Sequence, residues 1–387
     1  MIPSMLESGW RIDRIESCRL MGERWRDIGC NARKGRHGKS MPLDLVRISI
    51  AGQTGFGWSA ISRTQAEAWI GTEVKDLFTP EGRVKPAYYG IEYPLLDWLG
   101  HMLNQPVYAL FDIGEGNNVG SPPIVPCYDA TIYFDDLHLD DDAEAVEWMQ
   151  MKALEGWQAG HRAFKIKVGR GARHMPMYRG MKRDIEIIKG FRKALGPDAQ
   201  IMIDANNSYN LNLTKEVLGA TADVNITFIE EPFYEDPILY EDLKQWMDKQ
   251  GLHVMIADGE GLTVAPSIVS WAKNGLIDIL QFDIRFHGFN KLLRLGDELR
   301  GTIVKQAPHN YGGPYGNYAS CHVATALERF LTIEWDEVRV PGLEAPGYAI
   351  VEGKVHVPAA AGFGLHLDDS HFVKSVQEQG WSVQSLK

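Results

Sequence analysis

Eight short runs of β-branched and aromatic residues, separated by long amphipathic stretches, constrain this 387-residue chain more than any other feature. They are CYDATIYF (127–134), AFKIKV (163–168), AQIMID (199–204), ITFIEE (226–231), HVMIAD (253–258), DILQFD (278–283), TIVKQA (302–307) and FLTIEW (330–335). Their starts lie about 36 residues apart twice and then about 24 to 28 apart, the rhythm of strand–helix units building a parallel sheet. Eight such units in roughly 200 residues close into a barrel rather than spread into an open sheet. The last run is followed by VRVPGLEAPG, which has no helical stripe. The expectation is an α/β protein, a modified TIM barrel of (β/α)7β form.

Upstream the texture differs. WRIDRIESCRL (10–20) alternates like a strand, and LDLVRISI (43–50) and GFGWSA (55–60) read as two more strands across a glycine turn. Helical patterns follow at 64–77 and 91–103, which together describe an α+β unit. FDIGEGNNVGSPPIVP (111–126) is the best linker. After the barrel, 348–387 returns to strand-and-turn character, with a hairpin signal in IVEGKVHVP and a short strand in GFGLHLDD. The expected domains are an N-terminal α+β capping domain (1–125), the barrel (126–340) and a C-terminal segment (341–387) packing back on the cap.

Net charge of −11 and a pI near 5.6 argue against a nucleic-acid surface. No apolar run reaches the roughly 18 residues a membrane helix needs, and Met1–Trp10 carries Glu7 without a continuous apolar core, unlike a signal peptide. Cys18, Cys30, Cys127 and Cys321 have neither disulfide nor zinc spacing, which fits a reducing cytoplasm. One basic stretch stands out, GERWRDIGCNARKGRHGKS (22–40). Most of its side chains read as a solvated loop, but a basic loop over a pocket also suits an anionic substrate.

In such a barrel the C-terminal strand ends form the active face. Here they carry Lys165 and Lys167, Asp204 with Asn206 beyond, Glu230 and Glu231, Asp258 and Glu260, Asp283, His309, and Glu334 with Asp336 beyond. Carboxylates are costly to bury unless paired or metal-bound. Asp204, Glu230 and Glu260 make an oxygen cage for one Mg²⁺, which takes about six oxygen ligands and leaves some for a substrate carboxylate. Asp258 competes with Glu260 as third ligand, since residues two apart on a strand face the same way. Lys165 and Lys167 share a face too, and like charges held together make one of them a base near neutral pH. Asp283 fixes the tautomer of His309 and leaves its other nitrogen for proton transfer. A metal flanked by two bases suits abstraction of the proton α to a carboxylate, with the metal stabilising the enediolate.

With these residues in view the chain resembles the enolase superfamily, in its mandelate racemase branch. The matching pieces are K-I-K (165–167), I-D-A-N (203–206), I-E-E-P (229–232), A-D-G-E (257–260), D-I-L-Q-F-D (278–283), P-H (308–309) and I-E (333–334), with LNQPVYALF (103–111) and GFGLHLD (362–368) flanking them. The resemblance implies Lys167 as a base with Lys165 as its partner, Asp204, Glu230 and Glu260 as metal ligands, and an Asp283–His309 dyad. It implies that Glu334, with Asn206 and Lys165, binds the substrate, and that cap loops near 22–40 and 55–63 set specificity. The pattern departs from the family at Arg285-Phe286-His287-Gly288-Phe289, where paired glycines are usual, so Arg285 makes the mouth near Asp283 bulkier. The expected activity is Mg²⁺-dependent dehydration of a sugar acid. A racemase or epimerase of a 2-hydroxy acid is the alternative, and a non-catalytic binding barrel is the rival from another class. The resemblance also suggests a homo-oligomer, between a dimer and an octamer.

Overall fold

Alternating burial along β1 (Ile12–Arg24) puts Ile12, Ile15, Cys18 and Leu20 on one face, the period-two pattern of a half-buried strand. The computed structural model describes residues 2–113, 121–311 and 313–385, so 114–120 of the expected linker lie outside the described residues. β1 pairs antiparallel with β2 (Ser40–Ile50), which turns at Ala51-Gly52 into β3 (Gln53–Trp58). Helix α1 (Arg63–Trp69) starts from a capping box in which Ser62 and Gln65 satisfy each other's backbone N–H. The helical pattern expected over 64–77 is broken: Gly71, at φ 81°, ends the turn and a separate short helix runs Val74–Leu77. Helix α2 (Glu92–Leu103) buries Tyr93, Leu95, Leu96, Trp98 and Leu99 against this sheet.

The barrel strands are β4 (Ile124–Ile132), β5 (Ala163–Lys167), β6 (Gln200–Asp204), β7 (Ile226–Glu230), β8 (Met255–Asp258), β9 (Ile279–Leu280), β10 (Lys305–Gln306) and β11 (Ile333–Trp335). Neighbours pair in parallel from β4 round to β10. β11 pairs with β4, and a parallel bridge between Gln306 and Phe330 closes the ring. Helices α3 (Asp142–Gln158), α4 (Met177–Leu195), α5 (Leu211–Ala220), α6 (Pro237–Gln250), α7 (Ile268–Lys273), α8 (Phe289–Leu299) and α9 (Pro314–Val323) follow β4 to β10 in turn. β11 instead leads into β12 (Val338–Arg339), which pairs with β1 in the N-terminal sheet. The (β/α)7β form is therefore what the structure has.

Two differences have local causes. The runs at 278–283 and 302–307 contribute only two ladder residues each; the rest is extended chain that delivers Gln281, Asp283 and His309 to the barrel mouth. The tail, expected to be strand and turn, contains helix α10 (Asp369–Gln379), capped by the Asp368 side chain on His371 N. Phe372 and Val376, one turn apart, are buried with the cap core. A final strand, Trp381–Gln384, pairs with β1.

Strand alternation sorts the barrel's two surfaces. Phe164 and Ile166 face the helices, within the apolar layer between strands and helices. Ala163 sits inside the barrel with Tyr128, Met202, Phe228, Ala257, Ile279 and Ala307. That inner plug fills the floor and leaves Lys165 and Lys167 above it, at the mouth.

Candidate active site

Lys165 is 1% exposed. Its Nζ lies 2.8 and 2.9 Å from the two oxygens of Glu230, 3.0 Å from Glu334 Oε1 and 3.5 Å from Asp204 Oδ2. Lys167 donates to Asp204 from the same face, because Lys167 and Asp204 are register partners across β5 and β6. Burial alone would push both ammoniums down. Glu230 and then Glu334 outweigh it at Lys165, and Asp204 at Lys167, so both stand above the ordinary lysine value. This corrects the expectation from mutual repulsion: opposite charges at contact distance dominate the like charge two residues away.

Asp258 and Glu260 do not face the same way. Asp258, beside the inward Ala257, turns out to the helix layer and accepts from Tyr240 Oη at 2.5 Å. Gly259, at φ 105°, breaks the alternation and swings Glu260 into the mouth, where its Oε2 is 2.9 Å from His309 Nε2. Glu230, Glu260 and His309 place ligand atoms within 4.8 Å of one another. Asp204 stands beside Glu230 in register, with its carboxylate drawn to the lysines. Glu231 follows the last β7 residue and alternation alone would point it outward, yet at φ 41° it faces the cavity and receives Asn206 Nδ2 at 3.4 Å. Burial, then Glu260 and Asp204, push its carboxyl up to about 9.

The charge balance tests whether a cation belongs here. Among the described residues, Asp204, Glu230, Glu231, Glu260 and Glu334 crowd around three bases, Lys165, Lys167 and His309, the last also paired with Asp283, and Asn206 Oδ1 is buried without a partner. With Asp283 they make six carboxylates, all buried except the half-buried Glu260, around three bases, an excess of acid that burial penalises. Oxygen-rich donors with unspent acceptor capacity fit a hard divalent ion.

On the other side of the mouth, Asp283 Oδ2 is 2.8 Å from His309 Nδ1. Asp283 Oδ1 accepts from the backbone N–H of Arg285 and Phe286, each at 2.7 Å, which locks the carboxylate. Burial lowers His309, but Glu260 and Glu334 outweigh it and raise the imidazole well above its usual value. Glu334 also accepts from Asn310 N at 3.0 Å. Lys167 thus enters from β5 and His309 from beyond β10, with Glu230 and Glu260 on the arc between them.

Residues 148–371 match the family model described as enolase C-terminal domain-like. A galacturonate dehydratase from Geobacillus sp., whose crystal structure contains Mg, is 48% identical with a TM-score of 0.95, covering 98% of each chain. The chain belongs to the enolase superfamily. Its curated relatives include the arabinonate dehydratase of Saccharolobus solfataricus, 26% identical over 290 residues, 73% of this chain and 70% of that protein. The N-succinyl Arg/Lys racemase of Bacillus cereus shares the fold at 16% identity and a TM-score of 0.74, covering 97% of this chain and 100% of that one.

Within this enolase-superfamily barrel the capping loop forms the roof. A cavity of about 280 Å³ is lined by Lys167, Asn206, Glu231, Glu260 and His309 below and by Asn31, Arg33 and Lys34 above. Arg33 clamps the loop to the barrel, donating to the carbonyls of Asn206 and Asn207 and stacking 4.6 Å from the Tyr234 ring. Arg24 ties the loop's start to Asp336 at 3.0 Å. Arg285 does not line the cavity: its guanidinium lies over Trp58 and donates to Tyr311 O at 2.8 Å. The site also uses residues that sequence reasoning left aside. Gln281 donates to Glu230 Oε2 at 2.8 Å, and its two-residue spacing from Asp283 was the available signal. Tyr133, at the end of the first barrel run, and Tyr311, two residues past His309, also line the cavity.

Proposed function

We propose that this protein is a Mg²⁺-dependent sugar-acid dehydratase acting on a hexuronate such as D-galacturonate. The observation that carries the reading is one small carboxylate-rich cavity faced from separate strands by an ammonium, Lys167, and an Asp-oriented imidazole, His309. Asp204, Glu230 and Glu260 would hold the ion, whose chemistry is to stabilise negative charge on the substrate carboxylate as the α-proton leaves. Lys165 and Glu334 position that carboxylate, and Asn206 borders the ligands. Lys167 and His309 are the two proton carriers. One removes the α-proton, and the other donates a proton to the departing β-hydroxyl, which leaves as water. The resulting enol becomes a keto acid. The substrate's configuration decides which of the two acts first.

The sugar class is supported by the Geobacillus sp. enzyme, 48% identical, seen with D-galacturonate and 5-keto-4-deoxy-D-galacturonate. That pair is what loss of the C5 proton and the C4 hydroxyl gives. Incubation with Mg²⁺ and D-galacturonate in heavy water tests the proposal through keto-acid formation. Deuterium at the α-carbon of recovered acid without keto acid would instead establish a racemase or epimerase. Absence of both Mg²⁺ binding and turnover on any sugar acid would leave a binding barrel.

We further place the domains at 1–125, 126–340 and 341–387. The pairing of Trp381–Gln384 with β1 supports a tail that returns to the cap. No helix of the described residues is long and apolar enough to cross a membrane. Four free cysteines suit the reducing cytoplasm in which we place the protein, as a homo-oligomer between dimer and octamer.

A further inference from the structure

We propose that Tyr311 is a specificity-determining residue whose hydroxyl donates a hydrogen bond to a hydroxyl group of the acid sugar. His37, from the capping loop, is the positioning residue that frees that hydrogen for the substrate. The inference rests on the dehydratase reading and names one of the contacts by which the site tells acid sugars apart.

His37 Nδ1 lies 2.9 Å from Tyr311 Oη, while His37 Nε2 is buried with no partner among the described residues. The ring is wedged between two aromatic residues, 4.8 Å from Tyr133 and 5.7 Å from Tyr311 between centroids. Burial first, then the cations Lys167, Arg24 and Lys34, push the imidazole down to about 4, so it is neutral and carries one N–H. If that hydrogen sat on Nε2, a buried donor would lack an acceptor, which is rarer and costlier than an unused lone pair. The hydrogen therefore sits on Nδ1 and is donated to the Tyr311 oxygen. Tyr311 must then direct its own O–H elsewhere, and the space it lines is the cavity that holds Lys167, Glu260 and His309.

Tyr311 is fixed well enough to discriminate. Its N–H donates to Asp283 Oδ2 at 3.2 Å and its carbonyl accepts from Arg285 at 2.8 Å. Lys34 Nζ covers its ring at 4.6 Å. A donor held this way, two residues from His309, reads the presence of a sugar hydroxyl instead of merely closing the roof. Because His37 belongs to the cap and Tyr311 to the barrel, the contact exists only when the loop is seated.

The test compares wild type, Tyr311→Phe, His37→Phe and the double variant on D-galacturonate and its monodeoxy analogues, with thermal unfolding as a folding control. The expected result is a loss in kcat/KM of roughly 3- to 10-fold for D-galacturonate in each single variant, the range of one neutral hydrogen bond. One deoxy analogue should show no such loss, and the double variant should be no worse than either single one. Equal losses across all analogues, additive effects of the two substitutions, or an unchanged specificity ratio in Tyr311→Phe would overturn the assignment. Calorimetric binding of D-galacturonate to the same variants separates the two readings. If wild type binds the acid but turns over none, the dehydratase reading fails while the Tyr311 contact is still scored by affinity.

Discussion

Glu92 sits where the cap meets the barrel, and its carboxylate makes the junction pH-sensitive. It is 3% exposed. One oxygen accepts from Phe289 N at 2.9 Å, the other from Asn290 N at 3.0 Å and Asn290 Nδ2 at 2.8 Å, so a cap residue caps the barrel helix α8. Gly288 is required beside it, since a Cβ there would meet Glu92 Oε1 at 2.0 Å. Burial, only partly offset by these bonds, pushes the carboxyl from 4.5 up to about 7. Between those values the folded state binds the proton that the unfolded chain has released. Stability from this group is therefore fully present below pH 4.5 and is lost as pH rises through 7. At about 1.4 kcal/mol per pH unit, the loss amounts to about 3 kcal/mol. Glu92→Gln cannot titrate, so its loss of an acceptor is the same at every pH. Denaturant unfolding of both proteins at pH 5 and pH 8 should show the variant's deficit shrinking by most of that amount at the higher pH. A deficit that stays constant, or grows with pH, would refute the argument that desolvation outweighs the helix N-terminus.

Other consequences are direct. Lys167→Ala and His309→Asn should each lower kcat by roughly 10²- to 10⁴-fold, measured by keto-acid formation; near wild-type turnover in both would remove them from the proton-transfer roles. Chelation should abolish turnover, and added Mg²⁺ should restore it and raise the unfolding temperature. Arg24→Met strands the buried Asp336 carboxylate, which the salt bridge at 3.0 Å now pairs. It should cost about 3–5 kcal/mol in denaturant unfolding; a loss below 1 kcal/mol would mean the pair is solvated.

The barrel was legible because its signal is repetitive. Eight β-branched runs, each followed by an amphipathic stretch, leave few alternatives once a parallel sheet must bury both faces. The strand-end residues Lys165, Lys167, Asp204 and Glu230 were legible for the same reason, since alternation fixes the face of a residue still inside a ladder. Helix α10 was missed although Asp368, Phe372 and Val376 carry its cap and stripe; surrounding turn residues outweighed an eleven-residue signal.

The sequence alone determined the fold, the arc of acids and bases at the strand ends, and the pairing of Asp283 with His309 as an expectation. Only the tertiary structure turned Asp258 to the helix layer and Glu260 and Glu231 to the mouth, brought Arg33 and Lys34 over the cavity, and set His37 on Tyr311. The physical reason is that periodicity stops where the ladder stops. Beyond it a single positive φ at Gly259 or Glu231 reverses a side chain, and contacts between residues hundreds of positions apart, such as His37 with Tyr311, leave no local pattern to read.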